Sequence, residues 1–210
     1  MALTVKGYDN GTYMEITYVA AEDLSGSVVV IDPGCFIPEI ESAIDNSNGL
    51  AYIFLTHGHP DHIREIMTFK EKYPEAVVVG SMAERPMFTD DRINHVSRLT
   101  GKKVEFEADK YVKDGDIITL GDTEFKFIET PGHTPGGMCI LADNIIFSGD
   151  TLFAGDMGRT DLWGGDFDAL RASITDKLFK LPDDIVVYPG HGSSTTIGKE
   201  KSHNLILSMI

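Results

Sequence analysis

Apolar positions along this chain fall into short blocks closed by Gly, Pro, Asn or Asp, the pattern of strands ended by turns. In the first half the blocks are Glu15–Val19, Val28–Asp32, Ala51–Thr56 and Val77–Gly80. In the second they are Ile117–Leu120, Glu124–Ile128, Met138–Leu141, Ile145–Ser148 and Ile185–Tyr188. Val28–Asp32 and Ala51–Thr56 are nearly unbroken apolar runs, which predicts strands covered on both faces. Asp143 and Asn144 between two later blocks read as a tight turn. Between strands, apolar residues return at helical spacing. Ile37, Ile40 and Ile44 form one stripe; Ile63, Ile66, Met67 and Tyr73, bounded by Pro60 and Pro74, form a second. Phe167, Leu170, Ile174, Leu178 and Leu181, stopped by Pro182, form a third. Ser81–Lys113 has no clear period and reads as a helical excursion near one edge. Strands followed by helices in each half predict an α/β fold with sheets buried under helices.

The chain has 210 residues, which suits a single domain over 1–210. With 42% hydrophobic and 24% charged residues, disordered, collagen-like and coiled-coil classes are excluded. Charge changes the picture more: 18 basic against 33 acidic residues give −15. Such a surface repels phosphate backbones and anionic lipid, so neither nucleic acid nor membrane is an expected partner. No apolar run approaches the roughly 18 residues of a membrane span, and the first sixteen residues carry Lys6 but no signal-like apolar core. Two cysteines, Cys35 and Cys139, make no disulfide framework. A reducing, cytoplasmic setting follows as the expectation.

The chemistry concentrates in histidine. Of seven, at 57, 59, 62, 95, 133, 191 and 203, three crowd into His57-Gly58-His59-Pro60-Asp61-His62. A chance H-x-H-x-D-H in a chain of this composition has odds of about one in a thousand. The cluster follows the apolar run ending Phe54-Leu55-Thr56, which places it past a strand's carboxyl end. Residues two apart in extended chain point the same way, so His57 and His59 converge on one ion. Asp61 and His62, in the first turn of the next helix, point elsewhere and suit a second. Imidazole with carboxylate favours zinc, iron or manganese over calcium.

Three further candidates follow other strands and are flanked by glycine, where backbone can approach an ion closely. They are His133 in Thr130–Gly136, Asp150 in Ser148–Thr151, and His191 in Tyr188–Gly192. Each alone would read as a turn or surface residue; together with the cluster they read as ligands. Asp32, in Ile31-Asp32-Pro33-Gly34, repeats the strand–Asp–Gly pattern. It is either the residue that orients a ligand from behind or a turn or helix-capping Asp.

Asp32, the His57–His62 cluster, His133, Asp150 and His191 together resemble the metal set of the metallo-β-lactamase superfamily, over nearly the whole chain. The resemblance implies a four-layer αββα sandwich with two divalent metal ions at the sheet edge. It puts His57, His59 and His133 on one metal, Asp61, His62 and His191 on the other, and Asp150 between them. His59 stands where flavodiiron oxidoreductases have Glu, and Asp150 where secreted β-lactamases often have Cys. Thr130–Gly137 (TPGHTPGG), Gly149–Phe153 (GDTLF), Gly158–Asp161 (GRTD) and Gly190–Ile197 (GHGSSTTI) resemble the glyoxalase II (hydroxyacylglutathione hydrolase) branch in its short bacterial form. Only nineteen residues follow His191, so the C-terminal helical domain that helps longer glyoxalases grip glutathione is not expected. Thioester chemistry is therefore better supported than glutathione recognition.

The expected activity is hydrolysis of a small thioester or ester of the S-lactoylglutathione type. Two dications bridged by Asp150 would lower the pKa of a shared water, and the hydroxide would attack the carbonyl. Asp61 would additionally orient that hydroxide. Arg159 either grips a substrate carbonyl or carboxylate, or pairs internally with Asp161 or Asp156. Three other readings stand beside this one: a mononuclear iron persulfide dioxygenase, which also carries GRTD; a lactonase or other ester hydrolase of the same fold; and a metal-binding interaction module. His95 and His203 read as surface or helix residues, Cys35 and Cys139 as buried packing. Met87, Phe88, Tyr111 and Trp163 are cleft candidates whose ordinary place is the core.

Overall fold

The computed structural model describes residues 3–9, 11 and 14–209. The first half contributes β1 (Leu3–Tyr8), β2 (Thr17–Glu22), β3 (Val28–Ile31), α1 (Pro38–Asp45), β4 (Leu50–Phe54), α2 (Pro60–Ile63), α3 (Ile66–Lys72) and β5 (Val77–Ser81). A short 3-10 turn, Met82–Glu84, then leads into α4 (Arg85–Thr89), α5 (Asp91–Asn94), α6 (Val96–Thr100) and β6 (Lys110–Val112). The second half contributes β7 (Ile117–Leu120), β8 (Thr123–Glu129), β9 (Met138–Ala142), β10 (Ile145–Gly149), α7 (Phe167–Ala172), β11 (Val186–Pro189), β12 (Thr195–Thr196) and α8 (Ile197–His203).

Two six-stranded sheets result, ordered β1-β2-β3-β4-β5-β6 and β12-β11-β10-β9-β8-β7. Both are mixed: β1 to β3 pair antiparallel and β3 to β6 parallel, while β7 to β10 pair antiparallel and β10 with β11 parallel. Alternation in the central strands sends side chains to both faces. Val29, Ile31 and Phe54 meet Phe125, Phe127 and Phe147 of the other sheet in an inner core. There Phe54 sits 5.1 Å from Phe125 and 5.2 Å from Phe127, ring to ring. Val28, Val30, Ile53 and Leu55 face outward and pack under Ile40, Ile44 and Phe69 of α1 and α3. On the far side Cys139, Ile146 and Val187 pack under Leu170, Ile174 and Leu178. Helix, sheet, sheet and helix therefore stack as an αββα sandwich, which explains the unbroken apolar runs of β3 and β4.

The sequence pattern places most of these elements within two residues, and its misses have physical causes. The second helical stripe is split into α2 and α3, and Met67 lies 43% exposed outside it. The third stripe starts as α7, capped by Asp166 accepting the Ala169 amide at 3.0 Å. It then widens to a π-turn at Ser173–Lys177 and tightens to a 3-10 turn at Leu178–Lys180. Ser81–Lys113 holds three short helices, as expected of a helical excursion, and then the edge strand β6. Cys35 and Cys139 are both buried, while Met87 and Phe88 belong to the core. Among the described residues no helix is long and apolar enough to cross a membrane.

Candidate metal centre

Every candidate ligand lies just past a strand: His57–His62 after β4, His133 after β8, Asp150 after β10, and His191 after β11. After β4 the chain stays extended through His59 (φ −68°, ψ 152°), and Pro60 then starts α2. That change of course separates His57 and His59 from Asp61 and His62. Thr130 N–H bonding to Gly137 O at 2.7 Å closes the loop that presents His133. Gly190 N–H bonding to Gly149 O at 2.8 Å ties the His191 loop to the Asp150 loop. The close approach is made possible by glycine. A Cβ on Gly190 would lie 2.3 Å from Asp150 Oδ1, and one on Gly158 would lie 1.8 Å from Asp150 O.

Ring orientation is imposed from behind. His57 Nδ1 faces Thr56 Oγ1 at 3.0 Å, and that hydroxyl donates to Asp32 Oδ2 at 2.6 Å. The hydroxyl's proton being spent on Asp32, His57 Nδ1 must be the donor, leaving Nε2 bare. His62 Nδ1 donates to the same Asp32 Oδ2 at 2.9 Å. His133 Nδ1 donates to the Arg159 carbonyl at 2.7 Å, since a carbonyl can only accept. In each ring a proton is held on the outer nitrogen, so the neutral imidazole turns its lone pair inward. His57 Nε2, His62 Nε2 and Asp150 Oδ1 are buried with no hydrogen-bond partner. Buried polar atoms left without a partner are costly unless something satisfies them, and imidazole nitrogens gathered with carboxylates are what a divalent cation would satisfy, so the donor set fits metal.

The donors sort into groups. His57, His59 and His133 offer atoms within 4.8 Å of one another, and so do Asp61, His62 and His191. His59 Nδ1 lies 2.8 Å from His133 Nε2, and Asp61 Oδ2 lies 3.2 Å from His191 Nε2. Asp150 stands between: Oδ1 is 3.3 Å from His62 Nε2, and Oδ2 is 3.5 Å from His133 Nε2 and 3.6 Å from His191 Nε2. Asp32, His57 and His62 form a further close group, but there the carboxylate meets the outer nitrogen of His62 and acts as a brace.

Electrostatics divide the two groups. Burial, reinforced by the neighbouring histidines, holds the His57 pKa well below its usual range and that of His59 at about 3. Burial likewise lowers His133. In all three the shift favours the neutral imidazole, the form that can bind a metal ion. Burial also opposes charge on His62, but Asp150, Asp61 and Asp32 outweigh it and raise its pKa well above the usual range. His191 is raised chiefly by Asp61 and Asp150 against the same burial cost. Burial works against the ionised forms of Asp61 and Asp150 too, yet His62 and the other nearby imidazoles keep both below the ordinary carboxylate range.

A cavity of about 310 Å³ opens over the centre, with Pro60, Leu99, Leu162 and Arg159 as its outer wall. The Arg159 side chain is paired with Asp161 through two bonds, 2.6 Å from Nε and 2.8 Å from the terminal nitrogen. Both possibilities read for it in the sequence thus meet: it lines the cavity and it pairs internally. Trp163 is 45% exposed beside Leu162, whereas Tyr111 packs against the outer core. His95 and His203 lie outside the centre. Two contributors escaped sequence reasoning. Thr56, whose position directly before His57 at a strand end was a usable signal, joins Asp32 to His57. Leu99 lies in the segment without period and had none.

Comparison with known proteins agrees with this architecture. The family model of the metallo-beta-lactamase superfamily matches residues 16–191. Hydroxyacylglutathione hydrolase GloC of Haemophilus influenzae is 35% identical over 188 residues, covering 87% of this chain and 88% of that protein. The crystal structure of BLEG-1 B3 metallo-beta-lactamase is 34% identical with a TM-score of 0.88, over 98% of this chain and 100% of that one. That of TTHA1623 in a di-iron-bound form is 30% identical with a TM-score of 0.79, over 95% and 98%. The chain belongs to the metallo-beta-lactamase superfamily and is a metal-dependent hydrolase of that superfamily.

Proposed function

We propose that this protein hydrolyses small thioesters of the S-lactoylglutathione type, with His57, His59 and His133 holding one divalent ion, Asp61, His62 and His191 the other, and Asp150 shared. The observation that carries the reading is the pair of three-residue groups on either side of one carboxylate, with a buried, unpartnered ring nitrogen in each, His57 Nε2 and His62 Nε2. The di-iron form of TTHA1623 and the name of the GloC relative support it. Zinc, iron and manganese all suit this donor set. When bound, such ions supply Lewis-acid polarisation of a carbonyl and a water acidic enough to attack at neutral pH.

The remaining work falls to the chain. Asp61, held ionised and lining the cavity, accepts a hydrogen bond from the attacking water and sets its direction. Asp32 and the Arg159 carbonyl keep the imidazoles in one tautomer, so no reorientation is needed during turnover. Pro60, Leu99 and Leu162 give the acyl or thiol portion an apolar wall, and Arg159, which lines the same cavity while paired with Asp161, is the cation available to a carboxylate. Water adds to the carbonyl carbon, the carbon–sulfur bond breaks, and an acid and a thiol leave. A small-molecule substrate is what a cavity of about 310 Å³ accommodates.

The likeness to BLEG-1 favours a second substrate for the same site, a β-lactam amide. Metal-loaded protein assayed with S-lactoylglutathione should release thiol in a chelator-sensitive reaction, faster than it opens a β-lactam. Oxygen consumption with glutathione persulfide, or no thiol release from fully loaded protein, would overturn the proposal.

A further inference from the structure

We infer that Glu84 is a positioning residue that assembles the His57–His59–His133 group by holding two loops from two different sheets; the inference rests on the metal reading above. Glu84 ends the 3-10 turn before α4 and is fully buried, with no ion pair among the described residues. Its Oε2 accepts the Gly58 amide at 2.9 Å, and its Oε1 accepts the Gly136 amide at 2.7 Å. Gly58 lies between His57 and His59, after β4 of the first sheet. Gly136 lies in the His133 loop, after β8 of the second sheet.

Burying a carboxylate away from any cation is costly, and an apolar residue would serve packing better. What an apolar residue cannot do is accept from two backbone amides on opposite sides at once. The cost shows in the Glu84 pKa, which burial raises despite the Thr134 hydroxyl and both amide bonds. The surroundings leave no slack. A Cβ on Gly136 would lie 2.6 Å from the Glu84 amide nitrogen, and one on Gly58 would lie 2.5 Å from Met87 Cβ. The strut therefore fixes the distance between the loops that carry His57, His59 and His133.

The second group has other supports. Asp61 and His62 are placed by α2 and Asp32, and His191 by its bridge to Glu15 and the Gly190–Gly149 bond. Loss of Glu84 should therefore damage one group and spare the other, which a general loss of stability would not do.

Glu84→Gln keeps the shape but replaces one acceptor with a donor. Zinc titration against a competing chelator should show one ion bound as in wild type and the other weakened about 10- to 100-fold. Amide exchange in metal-free Glu84→Gln protein should quicken at Gly58 and Gly136 but not at Gly190. Two ions bound with wild-type affinity, or equal loss of both, would overturn the inference. Should the variant not fold, exchange in metal-free wild type still decides: Gly58 and Gly136 amides should be among the protected ones, and free exchange at either refutes the strut. Because that readout needs no metal, a wild-type protein that binds no zinc defeats the metal reading separately.

Discussion

Asp32 Oδ2 lies 2.9 Å from His62 Nδ1 and also accepts the Thr56 hydroxyl that steadies His57. One buried carboxylate thus braces a ring in each of the two groups. Its Oδ1 accepts the Thr56 amide at 2.7 Å, which fixes the brace to the end of β4. Asp32→Ala should weaken both ions by about 10- to 100-fold, in contrast to the one-sided loss expected at Glu84. Chelator competition measures it; unchanged binding of the His62-side ion would show that the brace is idle.

Gly158 has no room for a side chain, since a Cβ would lie 1.8 Å from Asp150 O and 2.9 Å from His133 Nδ1. Gly158→Ala should push apart the two loops it touches. Metal content and hydrolysis should both fall steeply. Full metal occupancy in Gly158→Ala would mean that the loops yield without cost.

Phe127 separates stability from chemistry. It is fully buried between the sheets, against Phe54. Phe127→Ala should cost about 3–5 kcal/mol in urea unfolding, with both ions still bound in the folded protein. Loss below about 1 kcal/mol would contradict the packing described for the inner core.

Burial pushes the thiols of Cys35 and Cys139 up to about 11 from 9.0. At pH 8 only about one thiol in a thousand is then thiolate, so alkylation of the native protein should be slow at both and rapid once it is unfolded. A raised folded-state pKa means this contribution to stability is whole below pH 9.0 and is lost as pH rises through about 11. Rapid native labelling of either residue would show that it is less enclosed.

Much of the candidate centre was legible because its residues follow strands whose apolar runs mark themselves. Pattern places His57–His62, His133, Asp150 and His191 past strand ends, and the resemblance to the superfamily puts those ends at one sheet edge. What was hidden depended on partners far along the chain. β1 has mostly exposed or half-buried positions between Leu3 and Tyr8, and only pairing with β2 makes it a strand. Glu84 sits in the segment without period, and its meaning lies in two amides that sequence spacing does not connect. Arg159 acts on His133 through its main-chain carbonyl, a contact no side-chain motif announces.

The central claim is a paired centre, and a count of metal tests it most directly. Purified protein reconstituted with zinc and freed of excess metal should hold two ions per chain, and His62→Ala should hold one. One ion per wild-type chain, or a count unchanged by His62→Ala, would contradict the account.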